Sequence, residues 1–355
     1  MPVSRSLITP TANPLLERAL RDKLKRRSET VGKLGELEPL AVRLGLIQNT
    51  LKPRFRAPQV AIFASDHGLA VDGIGPAGQP STARVVQSLL SSQLPVTVFA
   101  RIQGMELSVV DCGVAEPVAP HPRLMARKIA HGTRNSRVNV AMTLDQVHAA
   151  IRAGMEIADA MPGNLIACAG VGVGSHESAA LVLSGLSGTP VRNLVVSPHL
   201  SLEDETRLML VLQGSQGRHR ELTDPVEVLA AYGGFEIAMM VGVMLVAASK
   251  RHLVMADGMP ACAALMVAAR IAPTVTDYCV FCRSHSHPGL SATLGLFQSL
   301  ALLELGMEST DGTGATLAYP LVLSAAALLT EVAEGEEAGP SQPADIFSNS
   351  SNGNF

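Results

Sequence analysis

Val60-Ala61-Ile62-Phe63-Ala64, followed by Ser65-Asp66-His67-Gly68, is the stretch of sequence that decides the fold. Five apolar residues that end in polar residues and a glycine predict a strand buried on both faces, as in a parallel sheet, that opens into a loop. Open α/β sheets bind ligands beyond the carboxyl ends of their strands. Asp66 and His67 are therefore candidate substrate-binding residues.

The same pattern of an apolar run before a polar loop recurs along the chain. It is found at 107–111, 165–168, 253–256 and 278–281. Repeated units of strand, polar loop and helix predict an α/β fold with a largely parallel sheet flanked by helices.

Between these runs the sequence contains residues that are typical of helix N-termini. Thr143-Leu144-Asp145-Gln146 has the sequence of a capping box and precedes an apolar stripe at helical spacing. Ser81-Thr82 can cap a helix over 83–90, and Asp224-Pro225 pairs an acidic cap with proline at the first helical position. The run 235–249 is nearly all apolar, which predicts a buried helix.

Composition and charge favour one large folded core. The chain has 355 residues, of which 47% are hydrophobic and 17% charged, and a net charge of −3. Its basic residues are scattered, so no electrostatic footprint for nucleic acid or an anionic membrane is present. Five cysteines without a disulfide framework fit a reducing compartment, and Cys279 and Cys282 are predicted to be core thiols rather than a redox pair. No secretory signal is recognised, so we expect a cytoplasmic protein.

A glycine-rich stretch follows the apolar run at 165–168. Gly172, Gly174 and Ser175 lie where a loop turns into a helix, and backbone N–H groups in such a place can bind a phosphate. They are candidate substrate-binding residues, and tight packing of strand against helix is the alternative. The spacing is neither G-x-G-x-x-G nor a P-loop, which argues against a nucleotide-binding oxidoreductase.

We expect the catalytic residue in the segment Asp311-Gly312-Thr313-Gly314-Ala315, just before the apolar run 316–329. One carboxylate is flanked there by glycines, which let the backbone approach a ligand, and by a helix start with its positive dipole. Asp311 is the candidate general base, and Gly312, Thr313 and Gly314 are candidate substrate-binding residues. The alternative is that Asp311 only caps the following helix.

Two further candidates lie in loops after predicted strands. Asp257 ends the run 253–256, and His285 follows the run 278–281. His285 and His287 are not accompanied by an H-E-x-x-H motif or a Cys/His cluster, so we expect no metal. Contact with substrate and simple surface exposure are both open for His285.

Segments along the chain match, in order, the motifs of one protein family. They are Phe63–Gly68 against F-A-G-D-H-G, Val109–Val114 against V-V-D-x-G-V, Gly132–Asn135 with Ala141–Thr143, Asp224 to Ala238, Asp257-Gly258, and Asp311–Ala315 against G-E-G-T-G-A. Together they resemble the nicotinate-nucleotide–dimethylbenzimidazole phosphoribosyltransferases of cobamide lower-ligand synthesis. The resemblance extends from 34 to 332.

This resemblance implies a fold and a reaction. The fold is a Rossmann-like parallel sheet with a small helical domain built from both chain ends, in a homodimer. The reaction transfers phosphoribose from nicotinate mononucleotide to dimethylbenzimidazole and gives α-ribazole 5'-phosphate and nicotinate, with inversion at the anomeric carbon and no metal or cofactor.

The resemblance also implies site residues. Asp311 stands where the family has a catalytic glutamate, and Gln79 where it has a base-binding glutamine. Arg207 lies near the position of the family's phosphate-binding lysine. Gly170 stands where the family has a second acid. That loss keeps open a second hypothesis, a catalytically weak paralogue that binds a nucleotide or base as a sensor or partner subunit.

The expected division of the chain has four parts. Residues 1–50 form N-terminal helices of the small domain, 51–305 the large α/β domain, and 306–333 the catalytic loop and C-terminal helix. Residues 334–355 have almost no apolar content, which predicts a disordered tail.

Overall fold

A computed structural model describes residues 8–75, 78–195, 201–219, 221–284 and 288–332. A sheet of seven strands, parallel in every described pair, forms its centre. The strands are β1 (Gln59–Ser65), β2 (Glu106–Gly113), β3 (Leu124–Ala126), β4 (Leu165–Val171), β5 (Leu253–Asp257), β6 (Cys279–Arg283) and β7 (Ala301–Leu303). The predicted α/β fold with a parallel sheet is confirmed.

The strand order reverses in the middle of the sheet. The order is β3-β2-β1-β4-β5-β6-β7, so the chain winds outward from β1 in one direction and from β4 in the other. In open α/β sheets, ligands bind at such a switch point, outside the carboxyl ends of the strands. Here those ends lead to Asp66 after β1 and to Gly172 after β4.

Thirteen α-helices are described. They are α1 (Pro14–Val31), α2 (Leu37–Gln48), α3 (Thr82–Leu90), α4 (Pro95–Ile102), α5 (Leu144–Asp159), α6 (Ser175–Ser187), α7 (Arg192–Val195), α8 (Leu202–Arg218), α9 (Pro225–Tyr232), α10 (Phe235–Ser249), α11 (Met259–Ile271), α12 (Pro288–Leu296) and α13 (Thr313–Thr330). Short 3₁₀ helices span Gly68–Asp72 and Pro273–Tyr278.

The predicted helix caps are confirmed. Gln146 N donates to Thr143 Oγ1 over 3.1 Å, and Thr143 N donates to Gln146 Oε1 over 2.9 Å, which closes the capping box of α5. Ser81 caps α3, and Asp224 caps α9. The apolar helix α10 is largely buried and packs against α5 and α11.

Other sequence predictions have mixed outcomes. Cys279 and Cys282 are buried and free, as predicted for core thiols, and so are the other three cysteines. The strands β3 and β7 were not predicted, because three residues are too few for a periodicity to be recognised. Among the described helices, only α13 is long and apolar enough to cross a membrane, and 56% of it is buried, as in a helix inside a globular fold.

The chain forms two compact units. The first comprises the described residues within Met1–Thr11 and Arg54–Leu323 and holds the sheet. The second comprises those within Ala12–Pro53 and Ser324–Phe355 and holds α1, α2 and the end of α13. The predicted four-part division and small helical domain stay predictions, and the predicted tail lies outside the described residues.

Candidate active site

Two clusters of buried polar side chains lie beyond the carboxyl ends of the strands. The first, called the carboxylate clamp, consists of Asp257, Arg283 and Asp311. The second, called the histidine cluster, consists of His67, Ser175 and Glu236. Asp311 is the one acidic side chain of the two clusters that is not fully buried, since its side chain is 22% exposed.

Asp311 lies in the loop before α13, with its carboxylate directed toward the start of α11. Its Oδ1 accepts a hydrogen bond from Arg283 Nη2 over 2.6 Å. A Cβ added to Gly258 would lie 2.1 Å from Asp311 Oδ2, and Gly258 has φ of 90°. Only glycine therefore lets the carboxylate lie against the N-terminal end of α11, where the helix dipole favours a negative charge.

Asp257 organises the loop that carries Asp311. It ends β5 with no solvent exposure. Its Oδ2 accepts hydrogen bonds from Gly312 N over 2.6 Å and Ala315 N over 3.3 Å, and its Oδ1 accepts one from Arg283 Nε over 2.9 Å. Asp257 thus binds the N–H groups at the start of α13, so the helix-capping role considered for Asp311 belongs to Asp257.

The glycine and threonine residues after Asp311 serve this arrangement. A Cβ on Gly314 would lie 2.6 Å from Asp257 Oδ1 and 2.7 Å from Arg283 Cδ, so glycine is required beside their ion pair. Gly312 has φ of 96°, and Thr313 Oγ1 donates to Thr310 O over 2.7 Å. Contacts of these three residues with substrate stay a prediction.

The electrostatics of the carboxylate clamp favour a base. Burial raises the pKa of Asp311 to about 7, because the positive charge of Arg283 offsets only part of the desolvation and the Asp257 carboxylate adds to the rise. Nearby carboxylates in turn raise the pKa of Arg283, despite its own burial. A carboxyl group that titrates near neutral pH matches the needs of a general base.

The histidine cluster is sealed from solvent. His67 Nε2 and Glu236 Oε1 lie 2.9 Å apart, and both side chains are 0% exposed. Ser175 Oγ donates to the same Glu236 oxygen over 2.8 Å. Burial lowers the pKa of His67, but Glu236 outweighs this effect and leaves the pKa raised. The contact between His67 and Glu236, with the bond from Ser175, joins the end of β1 to the starts of α6 and α10.

The glycine loop after β4 is packed tightly against β1. A Cβ on Gly172 would lie 1.7 Å from Ser65 O, so no other residue fits. Gly174 has φ of 85° and precedes α6. Thr82 Oγ1 accepts a hydrogen bond from Val173 N over 3.0 Å. Close packing alone accounts for Gly172, and phosphate binding by this loop stays a prediction.

The other predicted site residues lie in different surroundings. Asp66 is half-buried, and its carboxylate accepts hydrogen bonds from Thr82 Oγ1 and from Ala115 N, the latter over 2.7 Å. Gln79 is exposed. Arg207 lies on the exposed side of α8 and pairs over 3.2 Å with Glu203 of the same helix. His285 lies outside the described residues. Substrate contacts of all four stay predictions.

Sequence reasoning missed two members of these clusters. Glu236 entered only as part of a matched segment, and Arg283 only as the start of a loop. Both side chains belong to elements distant in sequence from their partners, by 169 residues for Glu236 and His67 and by 28 for Arg283 and Asp311. An acid at the start of an apolar helix is the one signal that pointed to Glu236, because a buried charge needs a partner.

The chain is similar to named phosphoribosyltransferases over nearly its whole length. Residues 9–339 match a family described as phosphoribosyltransferase. The nicotinate-nucleotide–dimethylbenzimidazole phosphoribosyltransferases of Cupriavidus taiwanensis and Dechloromonas aromatica are 41% and 39% identical to it. Each alignment covers 92% of this chain, with 95% of the first relative and 96% of the second.

The fold of the chain is also similar to that of a solved structure. A crystal structure of nicotinate-nucleotide–dimethylbenzimidazole phosphoribosyltransferase from Thermus thermophilus superposes with a TM-score of 0.86 at 29% identity. The match covers 93% of this chain and 100% of that one. The resemblance inferred from the sequence motifs is confirmed.

Proposed function

Because the chain belongs to the phosphoribosyltransferase family that contains the nicotinate-nucleotide–dimethylbenzimidazole enzymes, we propose that it transfers phosphoribose from nicotinate mononucleotide to dimethylbenzimidazole or a related base. The products are α-ribazole 5'-phosphate and nicotinate, as the synthesis of the cobalamin nucleotide loop requires. The observation that carries this function is the Asp311 carboxylate, anchored through one oxygen and partly open to solvent.

Asp311 acts as the general base in this proposal. An azole nitrogen becomes a strong nucleophile as its ring loses the N–H proton, so one well-placed carboxylate is sufficient. The base nitrogen attacks the anomeric carbon while its N–H proton passes to Asp311. The bond from that carbon to nicotinate breaks, and its electron pair neutralises the pyridinium ring. The anomeric centre is inverted, and no other proton donor is needed.

The position of Asp311 fits this step. With a pKa of about 7, the group is largely ionised just above neutral pH and is still basic enough to take the azole proton. Gly258 and the start of α11 hold it against the protein, and 22% exposure of its side chain leaves it accessible to a ligand.

The remaining site residues are assigned by the resemblance. Gln79 contacts the acceptor base, and the loop with Gly172, Gly174 and Ser175 binds the phosphate with help from Arg207. Asp66, His67, Asp257 and His285 complete the site, with Gly312, Thr313 and Gly314 beside the base. Of these, Asp257 and His67 act by orienting loops, because both are buried and bound to protein groups.

A transfer assay tests the function. Purified protein is incubated with nicotinate mononucleotide and each of several benzimidazoles, purines and phenols, and products are separated by liquid chromatography. We expect α-ribazole 5'-phosphate from dimethylbenzimidazole. Binding of nicotinate mononucleotide without transfer to any acceptor would reject the enzyme and favour the weak paralogue, whose binding Asp311→Asn would leave unchanged.

The assembly and location of the protein are also proposed. We expect a homodimer in the cytoplasm, without nucleic acid or membrane partners, which the net charge of −3 supports. Sedimentation velocity across a range of protein concentrations tests the dimer. A single species with the mass of one chain at all concentrations would contradict it.

A further inference from the structure

Arg283 is a buried guanidinium whose whole hydrogen-bonding capacity is used. Its side chain is 2% exposed at the end of β6. An arginine has five N–H donors. The five acceptors here are Asp257 Oδ1, Met307 O, Ser309 Oγ, Ser309 O and Asp311 Oδ1, at 2.6 to 3.3 Å. A single side chain thus connects β5, β6 and the loop that carries Asp311.

These bonds set the direction of the Asp311 carboxylate. Arg283 holds Oδ1, and no donor among the described residues reaches Oδ2, which lies against Gly258 at the start of α11. Asp257 in turn holds Arg283 Nε and the N–H groups of Gly312 and Ala315. One carboxyl oxygen is therefore fixed, and the other is left for a ligand.

We propose that Arg283, anchored by Asp257, is the positioning residue that presents Asp311 Oδ2 to the N–H group of the acceptor base. This role rests on the proposed function. The N–H proton of the acceptor passes to Oδ2 as the ring nitrogen bonds to the anomeric carbon, and Arg283 keeps all of its protons throughout. A lysine could not replace it, because three donors on one nitrogen cannot span five acceptors.

The charges that face Asp311 make this role measurable. Arg283 approaches it from β6 and Asp257 from β5, while Cys262 is a buried thiol on α11. Loss of the Arg283 charge should move the titration of Asp311 to higher pH. Loss of the Asp257 charge should move it to lower pH. Destabilisation of the fold alone would not produce two opposite shifts.

The test compares R283K, R283M and D257N with wild type. Each variant is assayed for transfer across pH, with KM for nicotinate mononucleotide measured separately from kcat. R283K should lose kcat on the order of 100-fold through misplacement of the carboxylate, with KM nearly unchanged. The acid limb of its pH profile should stay near that of wild type. R283M should move that limb to higher pH and D257N to lower pH.

A matched control is available on the surface. Arg270 is exposed and donates from Nη2 to Leu186 O over 2.7 Å, so R270K changes an arginine outside the site and should match wild type. Circular dichroism checks each fold. If R283M does not fold, R283K and D257N decide. The proposal is overturned if both retain the kcat and the pH profile of wild type.

Failure of the proposed function can be separated from failure of this role. If the wild type transfers no phosphoribose, the function fails. The Arg283 role is then judged on protein without substrate, by infrared titration of the protonated carboxyl band that is lost in D311N. A higher titration midpoint in R283M, a lower one in D257N and an unchanged one in R283K would retain Arg283 as the group that sets the protonation state of Asp311. Equal midpoints in R283M and wild type would overturn it.

Discussion

The carboxylate clamp and the histidine cluster lie at the same edge of the sheet but differ in access. In the histidine cluster, His67 and Glu236 are 0% exposed and bound to each other. In the carboxylate clamp, Arg283 is 2% exposed while Asp311 is 22% exposed. A sealed ion pair can only orient the backbone around it, whereas an anchored group with one accessible oxygen can meet a ligand.

The pKa of one residue is raised in each cluster, but the physical causes are opposite. The pKa of His67 is raised because Glu236 outweighs the effect of burial, and the ring nitrogen that faces Glu236 is sealed from any ligand. The pKa of Asp311 is raised because burial outweighs Arg283, which makes the carboxylate a better base. The direction is the same in both, and the difference in cause separates a structural role from a chemical one.

The largest expected effect is that of removing the base. Asp311→Asn keeps the shape of the side chain but cannot take a proton, so kcat should fall on the order of 10²–10⁴-fold. KM for nicotinate mononucleotide should change little, because the proton is held by the acceptor base. Steady-state transfer assays with dimethylbenzimidazole measure both constants.

The control for this substitution is Asp145→Asn. Asp145 is exposed in the first turn of α5 and should be replaceable without loss of kcat. Full activity of Asp311→Asn would remove the distinction drawn between the two clusters, since neither would then hold the base.

The pH dependence should be nearly as large. Asp311 must be ionised to act, so its pKa of about 7 places the acid limb of kcat/KM for the acceptor near neutral pH. Below that pH the rate should fall about tenfold per unit, or about 100-fold by pH 5. Rate profiles in buffers of constant ionic strength measure it. A flat profile down to pH 5 would mean that a carboxyl group of ordinary pKa is the base.

The histidine cluster should control stability more than rate. Glu236→Gln removes the charge that raises the pKa of His67, and loss of this charge-assisted bond should cost about 2 kcal/mol in free energy of unfolding. Because the folded pKa of His67 is raised, its stabilising contribution is complete below the ordinary value of 6.5 and is lost as pH rises through the folded pKa. The variant should lose this pH dependence.

Denaturant unfolding at several pH values provides the measurement. Glu227→Gln, on the exposed side of α9, is the matched control and should leave stability unchanged. A Glu236→Gln protein as stable as wild type at acid pH would show that the buried pair contributes nothing to the fold.

The same contrast explains how far the sequence could lead. Strands β1, β2, β4, β5 and β6 were predicted because a buried parallel strand is a short apolar run with polar residues after it. Asp311 was found because glycines flank a carboxylate before a helix. Each of these signals consists of residues that are close together in the sequence, so it can be recognised without knowledge of the fold.

The role of Asp257 and Arg283 could not be predicted in this way. The sequence suggested that Asp257 binds substrate, yet both of its oxygens serve Arg283 and the start of α13. The bond from Asp257 to Gly312 joins residues 55 positions apart. Only the order of strands in the sheet brings them together, and no local pattern encodes it.

The smallest expected effect concerns the cap of α5, whose residues are neighbours in the sequence. Thr143→Ala removes the hydroxyl that accepts from Gln146 N, and loss of this helix cap should cost about 1 kcal/mol in free energy of unfolding. Thr143→Ser keeps a hydroxyl and should retain most of it. Thermal unfolding compares the variants, and transfer assays should give unchanged kcat and KM, because α5 packs against α10 and α9 rather than carrying site residues. A loss of transfer in Thr143→Ala, with the fold intact, would mean that the cap of α5 affects the carboxylate clamp. Structural and chemical roles could then no longer be assigned to separate parts of the molecule.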